Sequence, residues 1–232
     1  GGQICAPVEA RGTHLLLHLA SGDAIHAHMG MTGSWHLYRP GEPWQKPRHY
    51  ASLALSCGAW EAICFTPKTL ELLSLDGLRR HPHLSQLGPD LLDPTFDVEA
   101  AAGRLAVDPS VKTGVAIMNQ RLICGIGNVY KSEVLFLERL NPFAPIGALT
   151  GEQLTRVVTR ARVLMQRNLD GTPRRTRFGS AERLWVYGRA RAPCLKCGCL
   201  IQMQRQGDAG RSTYWCATCQ YEPGAGASVG PE

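Results

Sequence analysis

Up to about residue 75 the apolar positions come in short runs cut by glycine and proline. Thr13-His-Leu-Leu-Leu-His-Leu-Ala20 lies between Gly12 and the turn Ser21-Gly22-Asp23, and Ala24-Ile-His-Ala-His-Met29 follows before Gly30 and Gly33. Two such runs across a short turn predict a β-hairpin. Ala51–Ser56 alternates with period two, Ala59–Phe65 answers it across Cys57-Gly58, and Leu70–Leu73 adds a further strand. Many short strands with this punctuation predict an antiparallel sandwich or barrel. The segment Leu78–Pro94 holds three prolines and reads as a connector.

From about Asp97 the period lengthens. Val98–Leu105 reads as a short helix capped by Asp97. Val111–Ile123 is predicted helical, and Cys124-Gly-Ile-Gly-Asn128 breaks it. Val129–Leu140 resumes with apolar residues at Val129, Val134, Leu137 and Leu140, and Pro142 and Pro145 end it. Thr150 and Gln153 fit a capping box heading a helix that runs to about Asn168. An arginine-rich polar loop spans 170–180, then Trp185-Val-Tyr187 leads into a cysteine-rich region. The Gly/Pro/Ala-rich end, 221–232, is predicted disordered. The division expected is a β domain over 1–96, a helical domain over 97–182, a cysteine-bearing module over 183–220 and the tail.

Charge changes this picture. Residues 1–120 carry nine Lys/Arg against eleven Asp/Glu, whereas 121–219 carry sixteen against six. A basic half of this kind points to a polyanion, nucleic acid first, or to a solvated basic face with no partner. No apolar run nears the roughly 20 residues of a membrane span. The start, Gly1-Gly2-Gln3, has no signal-peptide pattern and no initiator Met, and reads as that of a fragment or processed chain in a cytoplasmic setting.

Nine cysteines are an odd number, so a fully paired disulfide framework fails on count. Four form two tight pairs, Cys194-x-x-Cys197 and Cys216-x-x-Cys219, eighteen residues apart. Thiolates at this spacing can close a tetrahedron around one structural Zn²⁺, with no seat for a catalytic water. The alternative is four unrelated thiols. Between the pairs, Leu200–Met203 and Ser212–Trp215 flank the turn Gly207–Gly210, as in a two-stranded zinc hairpin. Cys199 falls outside the spacing and reads as a bystander. Arg211, at the end of the hairpin turn, can reach a phosphate bidentately, or is one more surface arginine. Gly125-Ile-Gly-Asn-Val-Tyr130 lacks the third glycine of a dinucleotide fingerprint. It either opens a helix N-terminus to an anion, with Asn128 as an added donor, or makes a tight helix–helix corner.

Taken together, the chain resembles the formamidopyrimidine-DNA glycosylase/endonuclease VIII family of base-excision repair enzymes, its endonuclease VIII branch somewhat more. The residues that carry the resemblance are Arg11–Leu17, His28-Met-Gly-Met-Thr-Gly-Ser34, Leu87–Leu92, Gln120–Glu133, Val186–Arg189 and Arg211–Cys216 with the four paired cysteines. The resemblance implies an α+β fold in which a β-sandwich, here lacking its N-terminal part, joins a helix–two-turn–helix domain with a zinc finger. It implies damaged double-stranded DNA as the partner of a monomeric, nucleoid-associated protein. By residue-wise carry-over, Asn128 and Arg211 grip phosphates flanking the lesion, His28 lies beside the DNA backbone, and Met31 is the wedge that fills the gap left by the flipped nucleotide.

The family's chemistry implies an N-terminal proline whose amine attacks C1′, a Schiff base, β- then δ-elimination, and a glutamate that handles protons. No Pro-Glu start is present here, and Thr13 stands where the family places a phosphate-contacting lysine. The sequence therefore predicts a glycosylase/lyase given without its nucleophile segment, inactive or severely impaired as it stands. The competing reading is a damaged-DNA-binding relative that has lost catalysis. A zinc-ribbon RNA-binding module fits the charge but not the glycine corner.

Overall fold

The structure is a computed structural model that describes residues 8–30 and 32–220. It divides into two compact units, Gly1–Gln86 and Leu87–Glu232. Met31 and the tail predicted disordered, 221–232, lie outside the described residues.

The first unit holds two antiparallel sheets. One has the order β1 (Val8–Arg11), β2 (His14–His18), β3 (Ala24–His28) and β7 (Thr69–Leu73). The other has β4 (Ser34–Tyr38), β6 (Trp60–Phe65) and β5 (Ala51–Cys57). The predicted hairpins β2–β3 and β5–β6 form as read, with Leu16 opposite His26 and Ala54 opposite Ile63. Burial explains the patterns. Leu16, Leu17, Ala27, Ile63 and Phe65 are withdrawn from water, while β5 alternates between half-buried and exposed positions from Ala51 to Ser56. Strands β1 and β4 escape the sequence reading. Ser-Trp-His-Leu-Tyr in β4 shows no clean alternation, and Tyr38 is its single fully buried side chain. A short helix, α1 (Leu75–Arg80), also precedes and enters the expected connector. The Ser74 side chain caps it, accepting from Gly77 N at 3.1 Å.

The second unit is helical. Its α2 (Val98–Leu105) starts where expected, with the Asp97 carboxylate accepting from Ala100 N at 2.9 Å. The capping box of α5 (Gly151–Gln166) is present in both halves. Leu154, Val157, Val158, Ala161, Leu164 and Met165 put a continuous apolar stripe of α5 into the core, against Leu91, Ala101, Leu105, Ile117 and Val134. Glu138, just past α4 (Asn128–Leu137), is clasped by Arg160 at 2.7 Å and Arg156 at 3.3 Å from α5.

The helix predicted over Val111–Ile123 shrinks to α3 (Thr113–Ala116). Beyond it the backbone is engaged elsewhere. Gln120 O accepts from Gly88 N, and Cys124 pairs with Asp90 in a parallel bridge. A helix there would strip these bonds from segment 88–91. Gly88 is required by this approach, because a Cβ would sit 2.5 Å from Leu122 O.

The cysteine-rich module is a hairpin of β8 (Gln202–Gln206) and β9 (Arg211–Trp215), paired Gln206 to Arg211 across the predicted turn. Among the described residues no helix is long and apolar enough to cross a membrane.

Candidate nucleic-acid interface and metal centre

The glycine corner is built by one side chain. Gln120 Nε2 donates to Met118 O and Ile126 O, and its Oε1 accepts from Gly125 N, at 3.1, 3.0 and 3.0 Å. Gly125 has a φ of 112°, and a Cβ there would meet Met165 Cε at 2.8 Å. Helix α4 begins immediately after, with Gly127 as an N-cap that offers no side-chain acceptor. The first-turn N–H groups therefore have no side-chain partner at the cap and face a developing positive potential, the arrangement that suits an anion.

Asn128 and the finger meet here. Asn128 Nδ2 lies 3.1 Å from Ser212 Oγ, next to Arg211 on β9. Asn128 Oδ1 is buried without a hydrogen-bond partner. Turning the amide by 180° lets the Ser212 hydroxyl donate to Oδ1 and frees the NH₂ for a ligand. Arg211 is half-buried and makes no ion pair or side-chain hydrogen bond among the described residues.

Two buried charges, both missed in the sequence, hold this arrangement. Lys131, one turn into α4 and 1% exposed, donates through Nζ to Thr213 Oγ1 at 2.8 Å and Ser212 O at 3.2 Å. Burial, with the nearby Arg211 guanidinium adding to it, pushes Lys131 down to about 8. Glu133 accepts from the backbone N–H groups of Trp185, Val186 and Tyr187 at 2.8, 2.9 and 2.8 Å, and from the Thr176 hydroxyl. Both residues lie inside the segment Gln120–Glu133, but charges two apart point to different sides of a helix, and no neighbour in sequence pairs with either. Only the apolar residues that flank them, Val129, Val134 and Leu135, hinted at burial.

The sulfur atoms of Cys194, Cys197, Cys216 and Cys219 lie within 4.8 Å of one another, with Cys194–Cys219 at 3.8 Å and Cys197–Cys216 at 3.5 Å. These separations are too long for disulfides. They match the roughly 3.8 Å edge of a tetrahedron whose Zn–S bonds are about 2.3 Å. Gly198, at φ 79°, closes the first knuckle, and Lys196 N donates to Cys194 Sγ at 3.4 Å. Cys199 is exposed and outside the set; its carbonyl accepts from Cys194 N. The donor set fits a tetrahedral soft-metal ion with every position taken by protein.

In the first unit, Thr13 is exposed at the β1–β2 turn. His28 is partly buried, its ring stacked on His14 with centroids 4.6 Å apart.

Residues 87–178 match the formamidopyrimidine-DNA glycosylase H2TH domain, and residues 1–68 match the N-terminal domain of the same enzyme. The chain is 39% identical over 225 residues to a probable endonuclease 8 2 of Streptomyces coelicolor, covering 96% of this chain and 81% of that protein. The chain belongs to the formamidopyrimidine-DNA glycosylase/endonuclease VIII family. Its relatives include a protein of Mycolicibacterium smegmatis named DNA-(apurinic or apyrimidinic site) lyase Nei2, 38% identical over 94% of this chain and 83% of that one. The crystal structure of the MutM (Fpg) protein from Thermus thermophilus superposes with a TM-score of 0.78 at 30% identity, covering 96% of this chain and 84% of the other. The α+β fold expected from the sequence is therefore the family fold.

In this family member Lys131 ties the helix corner to the finger. A lysine with a folded value near 8 and an unfolded value near 10.5 binds more protons when unfolded across that interval. Lys131 thus makes the fold gain stability as pH rises from about 8 to about 10.5. Urea unfolding at the two ends of the interval should show this gain in the wild type and its loss in Lys131→Met.

Proposed function

We propose that the chain is the DNA-gripping body of a base-excision repair DNA glycosylase/AP lyase that acts as a monomer on damaged duplex DNA. The observation that carries this reading is the Asn128–Ser212 contact, which joins an uncapped helix N-terminus to the Arg211 finger. The surrounding stretch, 121–219, has sixteen basic against six acidic residues. Backbone N–H groups, an amide and a guanidinium on one corner suit consecutive phosphates, which position a duplex without reading its sequence. In this reading Asn128 and Arg211 hold the strand around the lesion, His28 approaches its backbone, and Met31 supplies the apolar wedge. One structural zinc held by Cys194, Cys197, Cys216 and Cys219 keeps the finger folded and takes no part in chemistry. The functional regions proposed are the β domain, which the sequence carried to residue 96 but whose compact unit ends at Gln86, the helix–two-turn–helix domain from Leu87 to residue 182 and the finger over 183–220.

The names of the relatives support the lyase activity. A Schiff base with an abasic site needs an amine fixed against C1′, because fixed orientation can remove about 7–11 kcal/mol of barrier. The family's terminal proline does this, and Thr13 cannot replace the cationic contact of a lysine. Thr13 favours the second reading, a damage-binding relative without catalysis.

Three measurements test these proposals. Duplex binding should weaken steeply with salt, and Arg211→Ala should lower affinity and shallow the log–log salt slope by about 0.9 for the lost phosphate contact. An unchanged slope would remove the finger from the interface. Metal analysis should show that native protein holds one zinc per chain more than the Cys197→Ser variant, and that variant should have an unfolded finger and weaker DNA binding, since closed thiolate sites couple metal to folding. Borohydride trapping on an abasic duplex should be weak for the 232-residue polypeptide and rapid when a Pro-Glu-starting segment is joined upstream. Equal rapid trapping by both would show that the proline is dispensable. Failure of both would support the binding-only reading.

A further inference from the structure

We propose that the four-stranded sheet carries a second metal site, separate from the cysteine cluster, for a divalent transition cation of the zinc class. Its ligands are His26 Nδ1, a Glu71 carboxylate oxygen and His81 Nε2. His26 and Glu71 face each other in register on β3 and β7, and His81 ends α1. Both imidazole nitrogens converge on the same oxygen, Glu71 Oε1, at 2.8 Å from His26 and 3.0 Å from His81. The three donor atoms lie within 4.8 Å of one another.

Two imidazoles and a carboxylate are an N₂O set, which selects zinc-class ions over magnesium or calcium. His26 is 1% exposed, and burying so polar a ring needs both nitrogens engaged. The second nitrogen is met by His14 Nδ1 at 2.8 Å. With a cation on Nδ1, the His26 proton moves to Nε2 and is donated to His14, the outer hydrogen bond that orients metal-bound histidines. His81 is the weakest ligand. Its Nδ1 accepts from Leu84 N at 3.2 Å, and that long bond is given up when Nδ1 takes the proton. Glu71 is 37% exposed, so a water can complete the tetrahedron. The cation replaces two N–H···O contacts with a clasp joining β3, β7 and the residue at which the chain leaves α1. Its role is structural.

Metal-free, untagged protein titrated with Co²⁺ and with Zn²⁺ tests the site. The cysteine set gives thiolate-to-cobalt charge-transfer bands, whereas an N₂O site gives none, so the two are counted separately. The wild type should take up two ions per chain, one without charge-transfer bands. Glu71→Gln and His81→Gln should each lose that second ion, keep the cysteine-site spectrum and melt at the temperature of the metal-free site. Should one variant fail to fold, the other decides. Saturation of the wild type at the cysteine-bound ion, or retention of the second ion by a folded variant, would overturn the proposal.

Discussion

A carboxylate withdrawn from water needs several donors, and Glu133 finds four: three consecutive backbone N–H groups at Trp185–Tyr187 and the Thr176 hydroxyl. Hydrogen bonds to a charged group contribute about 1.5–3 kcal/mol each, more than neutral ones. The stretch 169–200 has almost no regular secondary structure and satisfies its backbone only in part, through turn bonds such as Thr176 N and Arg177 N to Arg183 O. For residues 185–187 it borrows α4. The placement of Trp185–Tyr187, and with it the chain's approach to the first cysteine knuckle, rests on that carboxylate.

Lys131 does the same for the finger, and two glutamines complete the attachment. Gln206 Nε2 donates to Pro142 O at 2.8 Å, and Gln220 Nε2 donates to Leu140 O at 2.9 Å. Gly114 lies beneath Gln206, whose Oε1 would stand 2.4 Å from a Cβ there. The finger's small apolar cluster is equally shared. Phe136 comes from α4 and Val186 from the preceding loop, and they pack with Cys194, Ile201 and Cys216. Most of β8 is exposed, from Gln202 to Arg205, so the hairpin could not stand on hydrophobic burial.

Features with a local cause were legible in the sequence. The cysteine spacing, the Asp97 and Thr150 caps, the β2–β3 hairpin and the Gly125 corner each follow from a few neighbouring residues. Features with a distant cause were not. The helix expected over 111–123 is cut short because residues 120–124 pair with 88–91, a distant segment that carries no strand pattern. Lys131 and Glu133 have no partner near them in sequence, and their partners lie far downstream, from Thr176 to Thr213. Strand β4 is hidden because its polar side chains pair with one another, Ser34 with His36 and His36 with Tyr38, rather than alternating with apolar ones. Asn128 and Arg211 could be named from sequence, but the serine that joins them could not.

The shared anchoring of the finger bears on modularity. A zinc hairpin defined by four cysteines invites treatment as a portable cassette, to be cut out and fused elsewhere. Here the cassette ends where its ligands end only on paper. A recipient scaffold would have to offer a lysine and an asparagine at the same helical spacing, a carbonyl-lined bend after that helix, and a backbone glycine for Gln206 to sit on. Transfer of residues 183–220 by themselves would carry the four cysteines and leave behind the orientation. The same dependence means that a substitution of Asn128 or Lys131 in α4 changes what holds the hairpin without altering a residue of the hairpin itself.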